Sequence, residues 1–182
     1  MASRIRPATP DDSRGIAEVH VGTWRAAYAG IVPKAHLDGL SVEARATVWR
    51  TRNFPTGPTQ AIWVAEEDGS IVGFANAGTS RDEGCSGLGE LRAIYVDPGR
   101  WDAGVGSALH DAAVSSLRAA GFPAATLWVL EANARARRFY ERRGWRPDAA
   151  SKTIELGGAA LVEVRYRLEL TATSAAAAGS KP

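Results

Sequence analysis

Hydrophobic positions along the chain follow two periods in turn. Ile16, Val19, His20, Thr23, Trp24, Ala27 and Tyr28 recur at helical spacing. They predict a helix that begins near Thr9-Pro10-Asp11-Asp12 and stops at Gly30. Pro33 opens a second, short helical stretch, and Ser41-Val42-Glu43 opens a third that runs to about Arg52. A Pro/Gly loop over 53–58 leads to two apolar runs, 61–65 and 71–76. The Asp68-Gly69 pair between them is a strong hairpin turn. A Gly-rich connection over 78–89 precedes a central strand at 90–96, which stops at Asp97-Pro98. Helical period returns with Val105, Ala108, Leu109, Ala112, Ala113 and Leu117, and Gly121-Phe122-Pro123 ends it. Residues 126–130 form a buried strand. Asn133 caps a last helix that reaches Arg143, with Gly144 beyond it. Strands at about 152–156 and 161–170, joined by Gly157-Gly158, close the pattern, and Ile5 begins a short strand ahead of the first helix. This order gives one mixed α/β domain around a single sheet over 1–170. The Ala/Ser-rich stretch 171–182 is expected to be a disordered tail.

Composition narrows the function. The 182 residues, 45% hydrophobic and 23% charged, suit a globular domain with a sizeable core. A net charge of +2 sets up no strong field for nucleic acid or a membrane surface, so neither is expected as a partner. No run approaches the roughly 18 apolar residues of a membrane span, and the first residues do not resemble a signal peptide. One cysteine, Cys85, excludes an intrachain disulfide and fits a reducing compartment, which points to the cytoplasm. His20, His36 and His110 are scattered without metal-ligand spacing, so no metal is expected.

The segment from Asp97 to Ser107 carries the first chemical signal. It follows a strand, opens a helix and contains Gly104-Val105-Gly106. Free amides at a helix start favour an anion, and glycine lets a phosphate approach the backbone. A lone Gly-x-Gly is equally a plain structural turn. A Walker loop needs Gly-Lys-Ser/Thr, and no lysine lies between Lys34 and Lys152. A dinucleotide fingerprint needs a third Gly or Ala where Leu109 stands.

Two motifs resemble those of GNAT-type N-acetyltransferases. Glu90-Leu91-Arg92-Ala93-Ile94-Tyr95-Val96-Asp97-Pro98, followed by Trp101-Asp102-Ala103-Gly104-Val105-Gly106-Ser107-Ala108-Leu109, is similar to the family's coenzyme A motif. Trp101 stands where Arg or Gln is usual, and Asp102 where Gly is common. Asn133, Phe139-Tyr140 and Gly144-Trp145 match the second signature at fitting spacing. The resemblance implies a strongly bent mixed sheet of six to seven strands, with a central splay and about four flanking helices. It implies acetyl-CoA as co-substrate, lying between the 90–96 and 126–130 strands. Backbone of Ile94, Tyr95 and Val96 would meet the pantetheine arm. Amides around Ala103, Gly104, Val105, Gly106 and Ser107, with Trp101 and Asp102 beside them, would hold the pyrophosphate. Asn133 and Tyr140 would touch the cofactor. So would Arg138, taken from a basic run (Arg135, Arg137, Arg138, Arg142, Arg143) whose other members are expected to form a solvated face.

The implied reaction moves an acetyl group directly onto a primary amine of a small molecule or peptide. Tyr140 is the candidate acid for the leaving thiolate, although by pattern alone it is equally core beside Phe139. Glu90 is the candidate base, against the plain reading of a solvated strand-end charge. Trp24 and Tyr28, four residues apart on the first helix, are candidates for the acceptor wall or, as readily, for packing. Trp63 and Trp128 are expected in the core. The resemblance also admits a homodimer, an acyl group larger than acetyl, and a non-catalytic acyl-CoA-binding module that needs neither Tyr140 nor Glu90.

Overall fold

The computed structural model describes residues 3–51, 54 and 59–170. The 53–58 loop lies largely outside these residues, and the 171–182 tail wholly so.

Seven strands form one mixed sheet in the order β1-β2-β3-β4-β5-β7-β6. They are β1 (Arg4–Pro7), β2 (Gln60–Glu67), β3 (Ser70–Thr79), β4 (Gly89–Val96), β5 (Ala124–Leu130), β6 (Arg146–Leu156) and β7 (Ala159–Glu169). The described helices are α1 (Ser13–Ala27), α2 (Lys34–Asp38), α3 (Val42–Thr51), α4 (Val105–Ala119) and α5 (Ala134–Glu141). The short α2, five residues long, is the helical stretch expected after Pro33 and makes five, against the about four that the resemblance implied. None of the described helices is long and apolar enough to cross a membrane.

Both expected hairpin turns have the conformation that their residues favour. Asp68 and Gly69 have φ of 48° and 77°, and Gly157 and Gly158 have 60° and 81°. Positive φ at both central positions is the type I′ turn that matches strand twist. β6 starts at Arg146, six residues before the expected start. Its pairing with β7 slips between Pro147 and Ser151, where Ala149 has φ of 66°. A bulged edge strand shows little apolar alternation, so its first half carried no strand signal.

The sheet separates two cores. Ile16, Ala17, Val19, Ala46, Trp49 and Phe74 bind α1 and α3 to one face. Leu91, Val105, Leu109, Leu127, Tyr140 and Trp145 pack α4 and α5 on the other. At the head of α1, Asp12 accepts the Thr9 amide at 2.7 Å and pairs with Arg6 at 2.8 Å, which holds the Asp12 carboxyl below its ordinary range.

His110 and Trp145 tie α4 to the segment after α5. The Trp145 indole donates to His110 Nε2 at 3.0 Å, and His110 Nδ1 meets Asp111 at 3.0 Å. An accepting Nε2 requires a neutral ring whose proton sits on Nδ1. Burial, the largest cause, lowers the His110 pKa from its ordinary 6.5. Below that value the unfolded chain binds a proton that the folded chain refuses, so stability falls with acidity. Thermal melts are expected to show this ring's full contribution above about pH 7 and its progressive loss as the pH falls below about 6.5. His110→Gln keeps an acceptor for Trp145 and should flatten that part of the curve. An unchanged curve would remove His110 as the cause.

Candidate active site

β4 and β5 run parallel but pair only at Gly89↔Ala125 and Glu90↔Thr126. Beyond that point they diverge, and a cavity of about 830 Å³ opens between them. The free edge of β4 follows from strand alternation. The Asp97 amide bonds Val72 O on β3 at 2.8 Å, so Tyr95 and Ala93 also turn towards β3. Ile94 and Val96 therefore turn their N–H and C=O into the gap. The Val96 carbonyl there accepts from Thr23 Oγ1 and from the Trp101 indole, each at 2.9 Å. A bulge does lie on β4, at Arg92, where the register with β3 slips. The Ile94 amide faces the gap because β5 has departed, two residues past that bulge.

One end of the cavity is the start of α4. Gly104 is its N-cap at φ 86°, a left-handed conformation that favours glycine, and a Cβ there would meet nothing within 4 Å. Gly106 answers a different need. Its Cβ would stand 3.4 Å from the Phe139 ring of α5 and 3.6 Å from Val96. The first-turn amides of Val105, Gly106 and Ser107 have no intrahelical acceptor. Gly104, Gly106, Ser107, Trp101 and Asp102 line the cavity, whereas Ala103 does not and the Val105 side chain is buried in the core. Arg135 lies across the mouth, 4.4 Å over the Trp101 ring and 3.1 Å from the Asp102 carboxylate.

Asn133 caps α5 by accepting the Ala136 amide at 3.1 Å and lines the cavity. Tyr140, 9% exposed, lines it as well and packs its ring between Phe139 and Trp145, so it is both core and wall. Burial raises its phenol above the ordinary tyrosine value, with Tyr95 as a smaller cause. The group therefore stays protonated. Of the basic run, Arg135, Arg142 and Arg143 line the cavity, whereas Arg138 is exposed and does not. A signal for Arg143 was available: Ala136, Phe139 and Tyr140 form one stripe, and Arg143 is its next member at seven residues.

The other end is aromatic and charged. Trp24 and Tyr28 stand edge to face at 5.0 Å, share a small core with Val32, Leu37 and Leu130, and line the cavity. Burial pushes the Tyr28 phenol up, with the Tyr95 hydroxyl as its hydrogen-bonding neighbour. Glu90 is 4% exposed and thus not a solvated strand-end charge. Arg81 holds it from both oxygens, at 2.6 and 3.0 Å, and the Arg81 amide adds a third bond at 3.0 Å. Trp128 is not core: it lines the cavity, donates to Asp82 at 2.7 Å and carries Lys152 4.0 Å over its ring. Cys85 is buried, away from the cavity lining, with Arg165 3.1 Å from its sulfur. No metal-binding group of side chains occurs among the described residues.

The site is thus a mixed sheet splayed between β4 and β5, with a glycine-opened helix at one end of the gap. The chain belongs to the acetyltransferase (GNAT) family, whose model it matches over residues 25–145. It is 33% identical over 162 residues to the uncharacterized N-acetyltransferase YuaI of Bacillus subtilis, covering 88% of this chain and 89% of that one. It is 29% identical over 169 residues to a probable N-acetyltransferase of Mycobacterium tuberculosis, covering 91% and 92%. Among solved structures, the PaiA N-acetyltransferase of Thermoplasma acidophilum in complex with coenzyme A superposes with a TM-score of 0.70 at 19% identity, over 93% of this chain and 99% of that one. The acetyltransferase yncA of Salmonella typhimurium with acetyl-CoA gives 0.70 at 21% identity, over 98% and 100%.

Proposed function

We propose that this chain is a cytoplasmic N-acetyltransferase. It takes an acetyl group from acetyl-CoA and passes it directly to a primary amine of a small molecule or peptide. The observation that carries this reading is the gap itself: a free β4 edge and a protonated, buried tyrosine face it, and unpaired amides open one end. The co-substrate supplies an activated acyl group on sulfur. The chain does the rest. Ile94 and Val96 offer main-chain groups to the amide-bearing arm, and the α4 amides and Asn133 lie along the rest of its path. As the amine attacks, the carbonyl oxygen gains charge, and the Ile94 N–H is placed to stabilise it. The C–N bond forms, the C–S bond breaks, and Tyr140 gives its proton to the departing sulfur.

Glu90 serves the acceptor side. Arg81 engages both its oxygens and Arg92 stands 3.8 Å away, so accepting the amine's proton, directly or through water, competes with those guanidinium groups. Trp24 and Tyr28 form the facing wall. The test is thiol release from acetyl-CoA across a panel of amines, with binding followed separately by calorimetry. Release with at least one amine class is expected. Binding without release on every amine would instead support a non-catalytic acyl-CoA-binding module.

A further inference from the structure

The cofactor motif of this chain has an unusual side chain at its basic position. Trp101 stands there, and it is turned away from phosphate chemistry: its N–H is spent on Val96 O at 2.9 Å and its face is covered by Arg135. The other nearby cations are mostly committed. Arg100 pairs with Glu67 at 2.6 Å and Arg135 with Asp102 at 3.1 Å.

Arg143 is different. It lies two residues past the end of α5 and folds back along it, donating to the Phe139 carbonyl at 3.3 Å and stacking 3.9 Å over the Phe139 ring. Its Nη2 donates to Ser107 Oγ, in the first turn of α4. Phe139 packs beside Gly106, so ring, glycine and guanidinium form one layer at the helix start. Among the described residues, no carboxylate lies within ion-pair distance of Arg143. Burial depresses its pKa, Asp111 offsets part of this from beyond ion-pair distance, and Arg142 adds a smaller repulsion. A half-buried guanidinium without a counter-ion, set beside the positive end of a helix dipole, is unfavourable unless an anion joins it. Two adjacent negative phosphates answer that need, and a planar guanidinium presents paired N–H groups to them.

We infer that Arg143 supplies the pyrophosphate contact that Trp101 cannot, so that the cation comes from beyond α5 rather than from the loop before α4. This rests on the acetyl-CoA reading above. Ser107 fixes the guanidinium, and its own hydroxyl proton remains available to a phosphate oxygen. Phe139 acts as the platform that keeps the arginine over the helix start.

The experiment is calorimetric titration of wild type, Arg143→Ala and Arg143→Lys with CoA, dephospho-CoA and pantetheine. Melting without ligand checks that each variant folds. Arg143→Ala is expected to weaken CoA and dephospho-CoA by the same factor, on the order of 10- to 100-fold for loss of a charge-assisted bond, and to leave pantetheine unchanged. Arg143→Lys, which keeps the charge without the fork, should fall between and decides the matter if the Ala variant does not fold. CoA affinity within about twofold of wild type in the folded variants overturns the inference alone, given the tenfold minimum expected for such a bond. A loss seen with CoA but spared with dephospho-CoA moves the contact to the 3′-phosphate and also overturns it. Wild type that binds neither nucleotide overturns the acetyl-CoA reading, and this inference with it.

Discussion

Tyr140→Phe is expected to lower kcat by about 10²- to 10⁴-fold, the usual worth of a positioned acid, with CoA affinity held within about twofold. The structure makes this a clean substitution. The ring lies between Phe139 and Trp145 at centroid distances of 5.4 and 6.2 Å, and Phe keeps both contacts. Only the hydroxyl is lost, so the melting temperature should hardly move. Single-turnover thiol release, compared with calorimetric binding, separates the two effects. Unchanged turnover would return Tyr140 to a packing role. Glu90→Gln in the same assays should act on the other limb. It is expected to lower kcat/KM for the amine by about 10²- to 10⁴-fold, the usual worth of a positioned general base. An unchanged kcat/KM would take the base role from Glu90.

Gly106→Val is the second large effect, and it falls on binding rather than chemistry. A Cβ at this position meets Phe139 at 3.4 Å and Val96 at 3.6 Å, already close before two methyl groups are added. Methyls that avoid Phe139 must enter the cavity where phosphate would approach the amides. Each charge-assisted amide bond lost costs about 1.5–3 kcal/mol, so CoA should bind about 10- to 100-fold more weakly if one is lost and up to about 10⁴-fold if two are. Pantetheine, which carries no phosphate, should be affected far less. Equal weakening of the two ligands would locate the damage in the β4–α5 packing instead.

Much of this fold was legible because local chemistry and tertiary demand agreed. Asp68-Gly69 and Gly157-Gly158 named their turns, and Gly104 named the left-handed entry to α4. Asn133 was legible as a cap because its carboxamide does that work in the structure. The first half of β6 was not: Pro147, Asp148 and Ala149 carry a bulge on an exposed edge, where no apolar period is required. The site divided along the same line. A residue fixed by backbone geometry, such as Gly104, could be read. Side chains whose role depends on two elements meeting could not. Trp128 lies in a strand but is claimed by Asp82 and Lys152 from elsewhere in the chain. For Glu90 the sequence left a base and a solvated strand-end charge both open, because its partner, Arg81, sits in an irregular connection nine residues earlier. Arg138 and Arg143 are alike in type, and Arg143 is set apart by continuing the Ala136, Phe139 and Tyr140 stripe and by meeting Ser107 on α4.

The parting of β4 from β5 has a consequence for the whole enzyme cycle. Strands β1 to β4 and β5 to β7 are two half-sheets stitched together at Gly89↔Ala125 and Glu90↔Thr126. An extended amide-bearing reactant laid along Ile94 and Val96 would act as a transient eighth strand, joined to the sheet by the same main-chain bonds that hold its permanent members. The fold would then stiffen on loading and relax on release, gaining stability in proportion to occupancy. Recognition through the backbone also leaves side chains at the rim free to change, which is how a tryptophan and an aspartate can stand before Gly104 without undoing the site.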